Sequence, residues 1–246
     1  TVSANDCGRP VSRLFDRITR PEQLLTALPR AMAVLTDPAA CGPVTLALCQ
    51  DTQAEAFDWP EAFFAPRLWR IRRPRPDCDE LEQAAALLRA AKAPLIVAGG
   101  GVHYAGACAA LAAFAGAHGI PVAETQAGKS ALAHDHPLNL GAIGVTGSAA
   151  ANQAQAKADL VLAVGTRLAD FTTGSGAVFA NRAARMVTLN VQPFDAVRPR
   201  AQPLVADALA GLAALTAALA GHRAPADWTQ TCQAALPAWR EAVRAA

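Results

Sequence analysis

Aromatic side chains are scarce in this sequence, and charge of neither sign dominates it. Phe, Trp and Tyr together make up 5% of the 246 residues, whereas hydrophobic residues of all kinds make up 52%. Much of that apolar content is alanine, so we expect cores built by close contact between helices and a sheet rather than by large rings. The formal net charge of +2 gives no electrostatic case for nucleic acid or a membrane surface as a partner.

Long apolar runs and paired cysteines are also missing. No run approaches the roughly 18 apolar residues that a membrane-spanning helix needs. The N-terminus lacks the charged and apolar regions of a signal peptide, and it lacks an initiator Met, which suggests a piece of a longer chain. The six cysteines form no C-x-x-C pair and do not stand at metal-ligand spacing with a histidine. We therefore expect free thiols, a reducing cytoplasm and no metal site.

The most informative stretch is A-P-L-I-V-A-G-G-G at residues 93–101. Its apolar run, 95–98, predicts a strand buried on both faces, followed by a glycine turn and a helix over 103–118. A helix N-terminus behind such a turn favours a phosphate, but Tyr104 stands where the third glycine of G-x-G-x-x-G belongs. On this segment alone a plain tight turn is the favoured interpretation.

Strands alternate with helices along residues 77–221, which predicts an α/β fold with a Rossmann-like, doubly wound parallel sheet. The expected strands are 95–98, 120–124, 159–164, 186–191 and 204–206. Asp77 and Glu80 form the pattern of a capping box at the start of a helix, and Asp207 is expected to cap a later one.

The remaining segments are shorter or less regular. Residues 1–20 are interpreted as an extended arm or linker, and a helix from Pro21 with a strand at 44–48 is too small to be a domain. Residues 50–76 are a linker rich in proline and aromatic residues. Residues 222–246 are expected to form one amphipathic connecting helix.

Ligands of doubly wound sheets bind at the carboxyl ends of the strands. The segments that follow the predicted strands are therefore the candidate site: 99–103, 124–129, 166–170, 190–195 and Asp207. Arg167 could clamp a phosphate, while Asn190, Gln192 and Asp207 could bond a ribose or an adenine edge. Asp170 and Asp195 are equally well interpreted as loop caps. The spacing of the residues defines no catalytic set and no metal cluster.

Several strings in this sequence resemble the central domain of thiamine-diphosphate-dependent enzymes. They are A-P-L-I-V-A-G-G-G-V, G-I-P-V-A-E-T-Q-A-G-K, H-P-L-N-L-G-A-I-G-V-T-G, A-D-L-V-L-A-V-G-T-R-L and L-V-A-D-A. More narrowly, R-P-V-S-R, F-D-R-I, R-P-E-Q-L and D-F-T-T-G-S resemble the branch of that family that hydrolyses a carbon–carbon bond in inositol degradation. The resemblance extends over nearly the whole chain.

The resemblance implies that this chain is part of a three-domain enzyme. Residues 1–49 would be the tail of the pyrimidine-binding domain, 77–221 the central domain, and 222–246 a connection toward the diphosphate-binding domain. The chain contains no G-D-G, and the family's activating Glu would precede residue 1. We therefore expect no catalytic residue here, and thiamine diphosphate and Mg²⁺ bound by the parent enzyme but not by this fragment. The implied partners are the remaining domains and further copies in a homo-oligomer.

In this family the central domain binds FAD or ADP in some members and is purely structural in many. The resemblance would place a vestigial nucleotide site at Gly99, Gly100, Gly101, Thr166, Arg167 and Asp207. Asn190 or Gln192 takes the place of the acidic residue that often contacts adenine, so a structural role ranks first and nucleotide binding second. The alternatives are the central domain of an acetolactate-synthase-like carboligase and a standalone nucleotide-binding or assembly module.

Overall fold

The computed structural model describes residues 3–197 and 200–245, and the chain divides into two compact units, Thr1–Arg72 and Arg73–Ala246. Each unit has its own sheet. Because the candidate site belongs entirely to the second unit, the first is described only briefly.

The first unit is a small β–α–β arrangement. Strand β1 (Leu14–Ile18) pairs in parallel with β2 (Val44–Leu48), and helix α1 (Leu24–Thr36) connects them. The extended arm that we predicted for residues 1–20 is wrong, because this segment holds a 3-10 helix (Ala4–Val11) as well as β1. The sequence of β1, L-F-D-R-I, carries two charges and lacks the continuous apolar run on which strand prediction relies.

The second unit contains a six-stranded sheet in which every pairing is parallel. Its spatial order is β5-β4-β3-β6-β7-β8. The strands are β3 (Pro94–Ala98), β4 (Val122–Glu124), β5 (Asn139–Ala142), β6 (Leu160–Val164), β7 (Arg185–Asn190) and β8 (Ala201–Val205). The strand order reverses between β3 and β6, as in doubly wound folds, so the predicted fold class is confirmed.

Helices cover both faces of this sheet. They are α2 (Cys78–Ala90), α3 (Gly100–Tyr104), α4 (Cys108–His118), α5 (Ala149–Lys157), α6 (Asp170–Thr173), α7 (Pro193–Ala196), α8 (Ala208–Ala218), α9 (Ala226–Ala234) and α10 (Leu236–Ala245). Among residues 3–197 and 200–245, none of the helices combines the length and apolarity that crossing a membrane requires.

The two faces of the sheet bury separate cores. Ile96 and Leu162 belong to a core shared with α2, α4 and α8, whereas Leu95 and Val161 belong to one shared with α5 and α9. All four side chains are almost fully buried. Successive residues of a strand therefore point into opposite cores, which is why the strands are apolar without alternation.

Two differences from prediction concern the elements next to the candidate site. The helix expected over 103–118 is two helices, α3 and α4, because Gly106 adopts a left-handed conformation (φ +63°) between them. Strand β5 was not predicted, since N-L-G-A is short and contains a glycine with φ +85°.

The capping predictions are confirmed for the aspartates only. The Asp77 carboxylate accepts hydrogen bonds from Asp79 N (2.9 Å) and Glu80 N (3.3 Å). The reciprocal half of the expected capping box is absent, because Glu80 Oε2 instead accepts a hydrogen bond from Val205 N at 2.8 Å. Glu80 thereby ties the start of α2 to the edge strand β8.

The segment after residue 221 packs onto the sheet as two helices, α9 and α10, where we predicted one. Trp228, Cys232 and Leu236 are buried in the core that α9 shares with β3 and β6. The indole Nε1 of Trp228 donates a hydrogen bond to Pro94 O at 2.9 Å. This part of the chain is therefore a component of the second unit's core.

Candidate functional site

The glycine turn after β3 packs directly against the turn after β6. Gly99 N donates to Val164 O (2.8 Å) and Gly101 N donates to Gly165 O (2.9 Å). A Cβ atom built on Gly101 would lie 2.6 Å from the Gly165 Cα, and one on Gly99 would collide with the Gly165 carbonyl oxygen. The glycines thus permit contact between two backbones at the position where the strand order reverses.

The opposite side of the same turn is also covered by protein. A Cβ atom on Gly100 would meet the Ala127 side chain at 3.2 Å, and Gly128 approaches the carbonyl of Ala98 so closely that only glycine fits there. Helix α3 behind the turn has only five residues. The predicted phosphate position therefore lies on a short helix, beside a turn whose glycines meet protein atoms.

The turn after β6 carries Thr166, Arg167 and Leu168. Thr166 Oγ1 accepts a hydrogen bond from Leu168 N at 3.1 Å, and the buried Leu168 has a left-handed backbone (φ +48°). That conformation is costly for leucine and is held here by its surroundings. Arg167 is exposed, and within the described ranges it makes no hydrogen bond or ion pair.

Asn190 and Gln192 stabilise the turn after β7. Asn190 Nδ2 donates to Thr166 O (3.3 Å), while its Oδ1 accepts from Gln192 N (3.0 Å). Gln192 Oε1 in turn accepts from Phe194 N (3.2 Å) and caps the short helix α7. Each of these amide side chains therefore has a structural hydrogen bond.

The side chain of Asp207 both caps a helix and forms an ion pair. Its carboxylate accepts from Leu209 N (3.0 Å) and Ala210 N (3.2 Å), and so caps α8. It also forms an ion pair with Arg73 Nη1 at 3.0 Å, and its side chain is only 7% exposed. Arg73 Nη1 donates further to Ala105 O at 2.5 Å, which links the capped helix to the end of α3.

The structure therefore brings the predicted residues to one edge of the sheet in two groups. The first group is a continuous set of contacts through Gly99–Gly101, Gly165–Thr166 and Asn190. The second is Asp207 with Arg73. Sequence reasoning missed Arg73, because 134 residues separate it from its partner and no motif marks it.

Glu124 is a buried carboxylate at the same edge. Its Oε1 accepts from Leu132 N (2.9 Å) and its Oε2 from Ser130 N (3.3 Å). It is 5% exposed, and Ser130 has a left-handed backbone (φ +69°) that brings its N–H to the carboxylate. The predicted segment 124–129 thus contributes an acidic residue whose oxygens are bonded to the backbone.

Two groups away from this edge have shifted pKa values. Burial lowers the pKa of His222 below its ordinary value of 6.5, and repulsion from His118 and Arg89 lowers it further. A hydrogen bond with the backbone of Leu88 acts in the opposite direction and raises this pKa. Burial raises the pKa of the Cys232 thiol to about 12, which Lys157 opposes.

Metal-binding groups are not assembled at the site. Over the part of the chain that the structure describes, no three His, Cys, Asp or Glu residues come together as ligands for a metal ion. Glu124 and Asp207 are each bonded to backbone amides or to Arg73. The two buried carboxylates of this edge therefore already have partners within the protein.

The sequence of the parallel, doubly wound unit matches a known family model. Residues 81–215, more than half of the chain, match the model "Thiamine pyrophosphate enzyme, central domain". The chain belongs to this family of thiamine-diphosphate-dependent enzymes.

Two curated relatives of this chain have the same name and are similar to nearly all of it. A 3D-(3,5/4)-trihydroxycyclohexane-1,2-dione hydrolase of Geobacillus thermodenitrificans is 50% identical over 90% of this chain and 34% of its own length. One from Clostridium perfringens is 45% identical over 99% of this chain and 38% of its own length. The chain therefore spans about a third of the length of these curated relatives.

A solved structure shows the same fold. It is the X-ray structure of a protein from Mycobacterium smegmatis assigned to the thiamin diphosphate-dependent enzymes. The TM-score is 0.68 with 29% sequence identity, over 88% of this chain and 41% of that one.

Proposed function

We propose that this chain is the middle part of a longer thiamine-diphosphate-dependent hydrolase that opens a cyclic 1,2-dione in inositol degradation. The carrying observation is the 50% identity, over 90% of the chain, with a relative named as the hydrolase of 3D-(3,5/4)-trihydroxycyclohexane-1,2-dione. We call that longer protein the parent enzyme.

Thiamine diphosphate and Mg²⁺ are held, in this proposal, by parts of the parent enzyme outside this chain. When bound, the cofactor supplies carbanion chemistry that amino-acid side chains cannot provide. The chain does not contain the G-D-G string with which the family holds the metal, and this supports the assignment. Residues 1–49 would then be the tail of the pyrimidine-binding domain, and 50–76 the linker to the central domain.

The role we assign to the central domain, 77–221, is structural. The two turns where a dinucleotide would be expected contact each other through Gly99, Gly101 and Gly165. The candidate polar residues Asn190 and Asp207 are bonded to backbone groups and to Arg73. The site residues thus hold the domain together, and the chemistry takes place elsewhere in the parent enzyme.

Substrate turnover by the parent enzyme tests the proposed activity. With thiamine diphosphate and Mg²⁺ supplied, we expect the parent enzyme to convert the cyclic dione to a ring-opened carboxylate. NMR spectra of the reaction mixture measure this conversion. Conversion of pyruvate to acetolactate with no ring opening would instead support the acetolactate-synthase-like carboligase.

Calorimetric titration of the 246-residue chain tests where the cofactor is held. We expect no binding of thiamine diphosphate with Mg²⁺, because the chain lacks the G-D-G string with which the family holds the metal. Micromolar binding would contradict the assignment.

A vestigial nucleotide site for FAD or ADP is the second candidate, and Arg167 is the observation that favours it. Its guanidinium is exposed at the carboxyl edge and has no protein partner in the described parts of the chain. A guanidinium so placed could bind a phosphate. Thermal-shift measurements with ADP, FAD and NAD decide between the roles: a strong rise that Arg167→Ala abolishes establishes a nucleotide site, and no rise supports the structural role.

The partners that we propose are the remaining domains of the parent enzyme and further copies of it in a homo-oligomer, within the cytoplasm. All six cysteines are free thiols, which supports a reducing compartment. Phe171 and Val145, at 46% and 62% exposure, are large apolar side chains on the surface of the second unit and would suit such contacts. Sedimentation of the parent enzyme measures the oligomeric state.

A further inference from the structure

A cysteine and a histidine form a hydrogen-bonded pair near the glycine turn. Cys108 Sγ lies 3.5 Å from His103 Nδ1, and His103 Nε2 lies 2.9 Å from the carbonyl oxygen of Lys129. A carbonyl only accepts hydrogen bonds, so Nε2 carries the hydrogen and Nδ1 of the neutral ring has its lone pair free. The thiol of Cys108 therefore donates to Nδ1.

This arrangement has the three parts of an activated nucleophile. The thiol is the nucleophile, the imidazole is a base within reach of its proton, and the Lys129 carbonyl fixes the orientation and tautomer of the base. Cys108 is half-buried and packs against the core beneath α4, while His103 is exposed.

The start of α4 adds a favourable electrostatic environment. Cys108 is the first residue of this 11-residue helix, and the first turn contains no acidic residue. The N-cap residue, Ala107, makes no side-chain capping bond. The positive end of the helix therefore faces a developing thiolate without a competing carboxylate.

We propose that Cys108 is a site of covalent modification by small, uncharged carbon electrophiles, with His103 as the base. With an α-halo amide, the sulfur attacks the carbon that bears the halogen, a C–S bond forms and the C–halogen bond breaks. The halide leaves with the electron pair, and the thiol proton passes to His103 Nδ1 and then to water.

Cys78 provides a matched comparison within the same unit. It is also the first residue of a helix, α2, and it is exposed, whereas Cys108 is only partly so. Its neighbours are the capping carboxylate of Asp77 and two acidic residues of the first turn, Asp79 and Glu80. Accessibility alone predicts faster modification of Cys78, whereas our proposal predicts the opposite order.

The experiment is a labelling competition on the folded 246-residue chain. Limiting iodoacetamide is added at neutral pH, and the modified fraction of each cysteine is followed over time by peptide mass spectrometry. We expect Cys108 to react at least about tenfold faster than Cys78, because a positioned base contributes factors of ten or more. His103→Gln should remove most of this advantage and leave the rate at Cys78 unchanged.

Two results would overturn the proposal: Cys78 reacting as fast as Cys108, or a Cys108 rate unaffected by His103→Gln in a variant with native circular dichroism. Should that variant fail to fold, the ratio of the two rates in the unaltered chain decides the matter by itself. Cys108→Ser confirms the assignment of the labelled peptide.

Discussion

Replacing Asp207 by alanine should destabilise the second unit more than loss of a helix cap alone would. The substitution removes the acceptor of two amide hydrogen bonds at the start of α8 and leaves Arg73 without its carboxylate partner. Both consequences follow from one side chain that is only 7% exposed.

The expected magnitude has two parts. Loss of an N-cap costs about 1 kcal/mol. Loss of a charged hydrogen bond to a buried carboxylate costs about 1–2 kcal/mol here, at the low end because the Arg73 side chain is 39% exposed and partly screened. We therefore expect Asp207→Ala to lower the free energy of unfolding by about 2–3 kcal/mol. Asp207→Asn keeps an oxygen acceptor for the amides and should cost less.

Asp77 is the control, because it caps α2 through the same two kinds of amide bond but is exposed and has no arginine partner in the described residues. Asp77→Ala should cost about 1 kcal/mol. Urea unfolding followed by far-UV circular dichroism measures both variants on the same unit. Equal losses for the two variants would refute the reasoning, because they would mean that the ion pair with Arg73 adds nothing to the helix cap.

Three further predictions concern single residues. Gly101→Ala should lower the free energy of unfolding by about 1–3 kcal/mol in thermal or urea unfolding, because its Cβ atom would lie 2.6 Å from the Gly165 Cα. Gly116→Ala is the control: a Cβ atom there meets open space, so this substitution in α4 should raise the free energy of unfolding by up to about 1 kcal/mol. The contribution of His222 to stability should be fully present above pH 6.5 and be lost as the pH drops below it, because the unfolded chain takes up a proton at His222 before the folded one does. His222→Asn should flatten this part of the pH dependence, and an unchanged slope would contradict the prediction. Cys232, with its pKa raised to about 12, should resist thiol reagents at pH 8 until the chain is unfolded.

The sheet was largely predictable because its central strands are continuous apolar runs. The strands Leu160–Val164 and Pro94–Ala98 are buried on both faces, so both of their faces need apolar side chains. Such strands can be recognised in the sequence as continuous apolar runs. Strand β5 and β1 were missed for the opposite reason, since each is only partly buried and carries glycine or charged residues. The break between α3 and α4 depends on the backbone of Gly106, which a single glycine in an alanine-rich segment does not reveal.

The position of the candidate site could be predicted from the sequence, but the hydrogen bonds that its residues make could not. That the residues follow parallel strands was enough to place them at one edge of the sheet. Their hydrogen-bond partners depend on contacts between distant parts of the chain, such as Asp207 with Arg73 and Asn190 with Thr166. The histidine–cysteine pair was equally hidden, because the third member, the Lys129 carbonyl, is a backbone atom and has no signature in the sequence.

The indole of Trp228, bonded to the carbonyl of Pro94, has a consequence for anyone who exchanges this module between related enzymes. A cut at residue 221, where the repeating strand–helix pattern ends, would strip Trp228, Cys232 and Leu236 from the face of β3 and β6. The excised module would expose an apolar surface and an unpaired carbonyl, and we expect it to aggregate. A module that is exchanged between related enzymes therefore has to include α9 and the start of α10.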